Sequence, residues 1–204
     1  SNAIVQESCM PRRLVFFLAT ILFVALGITC IVIVVNTSKE SDHLRRLRPM
    51  GVTAYPSFTH GMYEVHIDTD QYADDVFRLL SYCDEVESIR TTDLEVTDSH
   101  VRRLVALPKL WNLSIRGSSI SDDAGIWFEK MDRLEMLDIS KTDVGDDIIP
   151  YLAKCPLLRW VNLEDTRVSQ DGYRHLVDSR PDIMVLVSKG DMNETSDLHS
   201  PAHE

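Results

Sequence analysis

Aliphatic residues recur along this chain at fixed places in a 24-residue frame. The frame starts at Met62, Val86, Leu110, Leu134 and Leu158, with a partial sixth copy at Ile183 after a fifth copy that is one residue longer. First, fourth and sixth positions are mostly aliphatic: Met62/Val65/Ile67, Val86/Ile89/Thr91, Leu110/Leu113/Ile115, Leu134/Leu137/Ile139 and Leu158/Val161/Leu163. Alternation of the fourth and sixth positions with polar residues is the period of a strand with one buried face. Position eleven (Tyr72, Val96, Ile120, Val144, Val168) is read as an apolar anchor where the chain leaves the strand.

Past that anchor the period changes. Thr97, Ser121 and Ser169 stand where a hydroxyl can cap a first helical turn, and Asp74/Asp75, Asp98, Asp122/Asp123, Asp146/Asp147 and Asp171 follow. Carboxylates there oppose the positive end of the helix dipole. Apolar residues then return at helical spacing, as in Phe77/Leu80, Val101/Leu104, Ile149/Leu152 and Tyr173/Leu176, until Pro108 and Pro156 stop the helix in their copies. Each copy is therefore a strand, a turn and a helix. One copy cannot bury its apolar face alone, so the copies must stack, strands on one side and helices on the other.

Segments such as LEMLDISKTDVGDDIIPYLAKCPL and LRWVNLEDTRVSQDGYRHLV resemble the L-x-x-L-x-L-x-x-N/T motif of leucine-rich repeats. They are similar to the 24-residue, helix-bearing kind found in bacterial, GALA-type and ribonuclease-inhibitor-like members. The resemblance spans about 62–187. It implies an α/β class: a right-handed solenoid, or horseshoe, with a parallel β-sheet on the concave face and helices on the convex face. It also implies protein recognition on the concave face. Thr142, Thr166 and Ser118 occupy the position where many members place a side-chain ladder; Asp70 and Leu94 depart from it, so a ladder is expected from the third copy onward.

The flanks change the picture. Residues 14–35 are 22 residues without a charge, a helix of ~33 Å, which matches a bilayer core. The run is longer than the apolar region of a cleaved signal peptide and ends in Ile31-Val32-Ile33-Val34-Val35, so an uncleaved single-pass anchor is the preferred reading. Arg12 and Arg13 before it, and Lys39, Arg45, Arg46 and Arg48 after it, pull the orientation in opposite directions, leaving the side of the repeat domain open. Residues 1–13 read as a tail in which Ser1-Asn2-Ala3 resembles a tag remnant. Residues 36–61, with Pro49, Gly51 and Pro56 and no sustained period, read as a stalk; 188–204 have the composition of a disordered tail.

Between Met62 and Val187, 25 Asp and Glu stand against 14 Lys and Arg, a formal −11 equal to that of the whole chain. Such a surface repels phosphate backbones, so no nucleic acid is expected as a partner. Cys83 and Cys155 fall three copies apart, at least ~14 Å at ~4.8 Å per strand, too far for a disulfide.

Catalytic signatures are missing: there is no Gly-rich phosphate loop, no His-Glu-x-x-His and no Cys-x-x-Cys. No enzyme activity, metal, cofactor or small-molecule substrate is expected. A column of Asp pairs could bind calcium, but helix capping explains their place beside Ser and Thr. His66 is expected on the strand face, with His100 and His175 as polar surface on the helical side. Trp127 and Tyr151, at one position of adjacent copies, are expected to stack as ordinary inter-helix packing.

Strand alternation selects the outward side chains at positions three, five and seven. Among these, Trp160, Met136, Arg116, Arg90, Asp138, Asn162 and His66 are the candidate contacts for a partner, with Trp160, Arg116 and Arg90 first because Trp and Arg favour binding anchors. The chain thus reads as a membrane-anchored, non-enzymatic repeat protein that binds another protein or peptide. A second reading is self-assembly through the terminal strand Ile183–Val187. A third, a substrate adaptor of the F-box/leucine-rich-repeat kind, lacks an adaptor-binding helix before the repeats.

Overall fold

Strand pairing follows the repeat directly. In the computed structural model, which describes residues 41–58, 61–68, 71–92 and 94–188, seven strands form one sheet in chain order. They are β1 (Val52–Pro56), β2 (Tyr63–Ile67), β3 (Val86–Thr91), β4 (Asn112–Ser114), β5 (Met136–Asp138), β6 (Trp160–Asn162) and β7 (Met184–Leu186). From β2 onward every neighbour is parallel, and equivalent residues pair: Val65↔Ile89, Ile89↔Leu113, Leu113↔Leu137 and Leu137↔Val161. These residues are fully buried. Position four of the frame is therefore one continuous apolar column, and positions three and five lie on the open side.

Helices α2 (Ala73–Leu80), α3 (Asp98–Leu104), α4 (Gly125–Phe128), α5 (Ile149–Lys154) and α6 (Gln170–Ser179) connect successive parallel strands. A 3₁₀ turn precedes α4 (Asp122–Ala124) and another precedes α5 (Asp146–Ile148). Buried Phe77, Leu104, Phe128, Leu152 and Leu176 close the core from the helical side. Ser121 and Ser169 cap as expected, their hydroxyls accepting from the N–H groups of Asp123 and Gly172. A parallel sheet built from 24-residue strand–turn–helix units is the arrangement that the leucine-rich-repeat resemblance implies.

Four expectations need correction. The described part of the 36–61 segment is structured rather than a stalk. Helix α1 (Asp42–Leu47), capped by Ser41 and followed by a 3₁₀ turn (Arg48–Met50), leads into β1, which pairs antiparallel with β2. Leu44 and Leu47 are fully buried against the first copy, and the Ser41 N–H donates to Glu85 Oε1 at 3.1 Å. Tyr72 is not an apolar anchor; it is exposed and precedes α2. A bulge between Tyr63 and Glu64 puts Tyr63, not Met62, opposite Val86.

The fourth correction lies at the other end. Trp160 pairs with Met184, Val161 with Val185 and Asn162 with Leu186, so the strand register holds at 24 and the fifth copy has no extra residue. Because side chains alternate with period two, that one-residue difference reverses the strand's faces. Met184 (63% exposed) and Leu186 (37%) face outward, while Val185 is partly buried against the core.

No helix among the described residues is long and apolar enough to cross a membrane. The expected span 14–35, the tail 1–13 and the tail beyond Ser188 lie outside the described residues.

Candidate functional site

The open side of the sheet carries a hollow of about 570 Å³. Five of the seven predicted contacts line it: Arg90 on β3, Arg116 just after β4, Met136 and Asp138 on β5, and Trp160 on β6. Their juxtaposition comes from register, since Met136 pairs with Asn112 and Trp160, and Asp138 pairs with Ser114 and Asn162. Trp160 and Met136 are half-buried, so the apolar pair already rests partly on its neighbours.

Asp138 is held by its surroundings. Its Oδ1 accepts from the Ser140 hydroxyl at 2.7 Å and the Ser140 N–H at 3.1 Å, and its Oδ2 accepts from the Ser114 hydroxyl at 3.4 Å. The other two predicted contacts stand apart. Asn162 is buried and organises its own turn, accepting the Glu164 N–H at 2.9 Å and donating to Glu164 Oε2 at 3.4 Å. His66 sits on β2 with its ring edge-on to Tyr55 of β1, centroids 5.0 Å apart.

Lys141 lines the same hollow and was missed because it falls at position eight, outside the alternating strand rows. Gly117, Lys141 and Asp165 share that position, and all three have left-handed backbones, with φ of +71°, +58° and +55°. Glycine accepts this conformation without strain; lysine does not. Met184 and Leu186 were missed through the register shift of the last copy, although Met184 is the direct cross-strand neighbour of Trp160.

Position thirteen holds the copies together laterally. Asp98 accepts the N–H and hydroxyl of Ser121 in the next copy at 2.9 and 2.7 Å. Asp122 accepts the Gly145 N–H at 2.6 Å, and Asp146 accepts the N–H and hydroxyl of Ser169 at 2.8 and 2.6 Å. The carboxylates thus bond to the following copy, beyond any effect on their own helix dipole. At the first junction His100 takes this role: Nδ1 accepts the Thr97 N–H at 3.1 Å, and Nε2 lies 3.2 Å from Asp74 Oδ1. Its ring stacks on Phe77 and is only 5% exposed, so His100 is a buried connector and not surface polarity.

The expected side-chain ladder at Thr142 and Thr166 is local instead, each hydroxyl donating to the carbonyl three residues back (Ile139 at 2.7 Å, Leu163 at 2.8 Å). Ser118 Oγ is buried without a hydrogen-bond partner among the described residues. Leu94 is buried, and Asp70 lies outside the described residues.

Among the described residues no group of three or more His, Cys, Asp or Glu is placed to hold a metal. Cys83 and Cys155 are free and buried, and burial, the largest cause in each case, pushes both thiols up to about 12. At neutral pH they are un-ionised and poor nucleophiles. On the helical side Trp127 is flanked by Arg102 and Lys130, with the cations 5.3 and 4.6 Å from its ring centroid. Tyr151 lies against Gly125, where an added Cβ would meet its ring at 2.5 Å.

No family model matches the chain, and no curated protein matches it. Among solved structures it is similar to an internalin C2 (inlC2) from Listeria monocytogenes str. 4b F2365. The likeness is 20% sequence identity over 54% of this chain, with a TM-score of 0.43. The match spans 45% of that protein, less than half its length.

Proposed function

We propose that this chain recognises another protein or peptide through the open face of its sheet, without catalysing a reaction on it. The observation that carries the reading is the row formed by Met136, Trp160 and Met184 on three successive strands, beside Arg90 and Arg116. Two methionines and a tryptophan side by side give this otherwise polar face a contiguous apolar stripe. Buried Trp and Arg side chains are the anchors that dominate interface energetics. Seven strands at ~4.8 Å suit a contact near the ~800 Å² per partner of a standard interface. The uncharged run 14–35 supports a single-pass anchor as part of this reading, raising the local concentration of the domain at a membrane.

Proximity labelling from the intact protein, compared with a Trp160→Ala/Arg116→Ala variant, tests the reading. The variant is expected to lose specific partners; an identical partner set would sink it. A second reading rests on β7, the last strand among the described residues, whose Met184 and Leu186 are exposed. An open edge beside such side chains can pair with another copy. Size measured across concentration, with Val185→Pro as the disrupting variant, separates self-assembly from recognition.

A further inference from the structure

Three cations of the open face converge on one hollow. Arg78, Arg167, Arg174 and Arg180 each have an aspartate within 4 Å, and Lys154 has Glu129. Arg90, Arg116 and Lys141 are all exposed and line one hollow, and none has a carboxylate within ion-pair distance among the described residues. The single carboxylate in the hollow, Asp138, is occupied by Ser140 and Ser114. Glu164, on the flank, is turned onto Asn162. A repeat region of formal charge −11 therefore sets three cations against one carboxylate in the lining of this hollow.

Lys141 adds a second observation. It keeps a left-handed backbone where the equivalent residue of the adjacent preceding copy is Gly117. At this turn position glycine is the unstrained residue, so Lys141→Gly removes the cation from the hollow at no cost to the backbone.

Toward β7 the character of the face reverses. Trp160, Met184 and Leu186 form an apolar patch by the register of β6 and β7. Arg90 on β3 and Trp160 on β6 are three strand steps apart, ~14 Å, or about four residues of extended chain.

We propose that the occupant of this face is an acidic–apolar peptide segment of a partner protein. Its carboxylates sit among Arg90, Arg116 and Lys141, and an apolar side chain three to five residues away rests on Trp160, Met184 and Leu186. This rests on the open-face reading above and specifies the partner's chemistry. Charge complementarity selects the acid, and the exposed patch selects its apolar neighbour.

The test is selection of a random 12-residue peptide library on the full chain at 50 mM NaCl. The expected winners carry Asp or Glu three to five residues from Leu, Met, Phe or Trp. Binding of a winning peptide is expected to fall about tenfold or more with Arg90→Glu/Arg116→Glu and again at 500 mM NaCl. It should also weaken with Met184→Ser/Leu186→Ser, and stay unchanged with Arg103→Glu on the helical side. Lys141→Gly, which relieves the backbone strain, is expected to weaken binding without lowering the melting temperature, so loss of folding cannot mimic the result. Winners without an acidic preference that are still lost with Trp160→Ala would overturn this proposal and leave open-face recognition standing. Winners indifferent to Trp160→Ala, or no winners on either the full chain or a chain ending at Ser188, would overturn both. Selection that succeeds only on chains ending at Ser188 would assign the face to the chain's own residues 189–204 and also overturn the proposal.

Discussion

The two ends of the repeat stack are built on different terms. At the first copy, β1 covers the edge of β2 in antiparallel pairing, and α1 drives Leu44 and Leu47 into the core. At the last copy, β7 carries two outward apolar side chains, with Met184 63% exposed. The antiparallel strand ends the parallel register and is itself the edge there, where Pro56 supplies no N–H for further pairing. Among the described residues, the first end adds a helix whose leucines are fully buried, whereas the last end adds a strand whose Met184 and Leu186 continue the open face beside Trp160.

Substitutions can break that comparison. Leu47→Ala should have the largest effect, about 2–5 kcal/mol of unfolding free energy, because it empties a fully buried site. Urea melts would read it; a change below ~1 kcal/mol would mean that α1 merely lies against the first copy.

Arg180 is next. Its guanidinium donates to the carbonyls of Ala153, Cys155 and Leu158 at 3.0, 2.8 and 3.1 Å, and holds Asp182 through two bonds of 2.9 Å. Arg180→Ala should cost about 2–3 kcal/mol, and Arg180→Lys should rescue little because an ammonium cannot match that fork. The hydrogen bond from Arg180 is the largest cause holding the Asp182 carboxyl down at about 2, against an ordinary 3.8. A lowered folded-state value stabilises the fold above about pH 3.8, and that contribution disappears as pH falls through about 2. The Arg180→Ala protein should therefore show a weaker loss of stability across that window in an acid titration.

A smaller effect is expected along the lateral ladder. Asp146→Ala frees the Ser169 N–H and hydroxyl and should cost about 1–2 kcal/mol. Gly172→Ala should act on the same bonds, because its Cβ would come 2.2 Å from Asp146 Oδ1. If the two substitutions added fully in a double-mutant cycle, the shared-site explanation would fail. Smallest of all, Met184→Ser/Leu186→Ser should shift stability by less than ~0.5 kcal/mol, since these side chains already face water.

Repetition made the middle of the molecule legible. Positions four and six predicted the buried column from Val65 to Val161, and the outward rows that follow from it contain Trp160, Met136, Arg116, Arg90 and Asp138. Both ends were harder, for a physical reason: a terminal unit lacks one neighbour and no longer obeys the pattern that neighbours impose. The cap at 42–56 has one short helix and one edge strand, too little to show a period. Ile183 is buried and imitates a first position, yet it stands one residue past the first position of the register, which hid Met184 and Leu186. Hydrogen bonds between copies leave no periodic apolar trace either. Asp98, Asp122 and Asp146 therefore looked like helix caps, and His100 looked like surface.

The central claim is that the open face is where this protein makes contact. A photo-crosslinking residue in place of Met184, compared with one in place of exposed His175 on α6, tests it in the intact protein. The account predicts a crosslinked partner from position 184 that Arg116→Ala diminishes, and none from position 175. Crosslinks from position 175 with none from position 184 would contradict it.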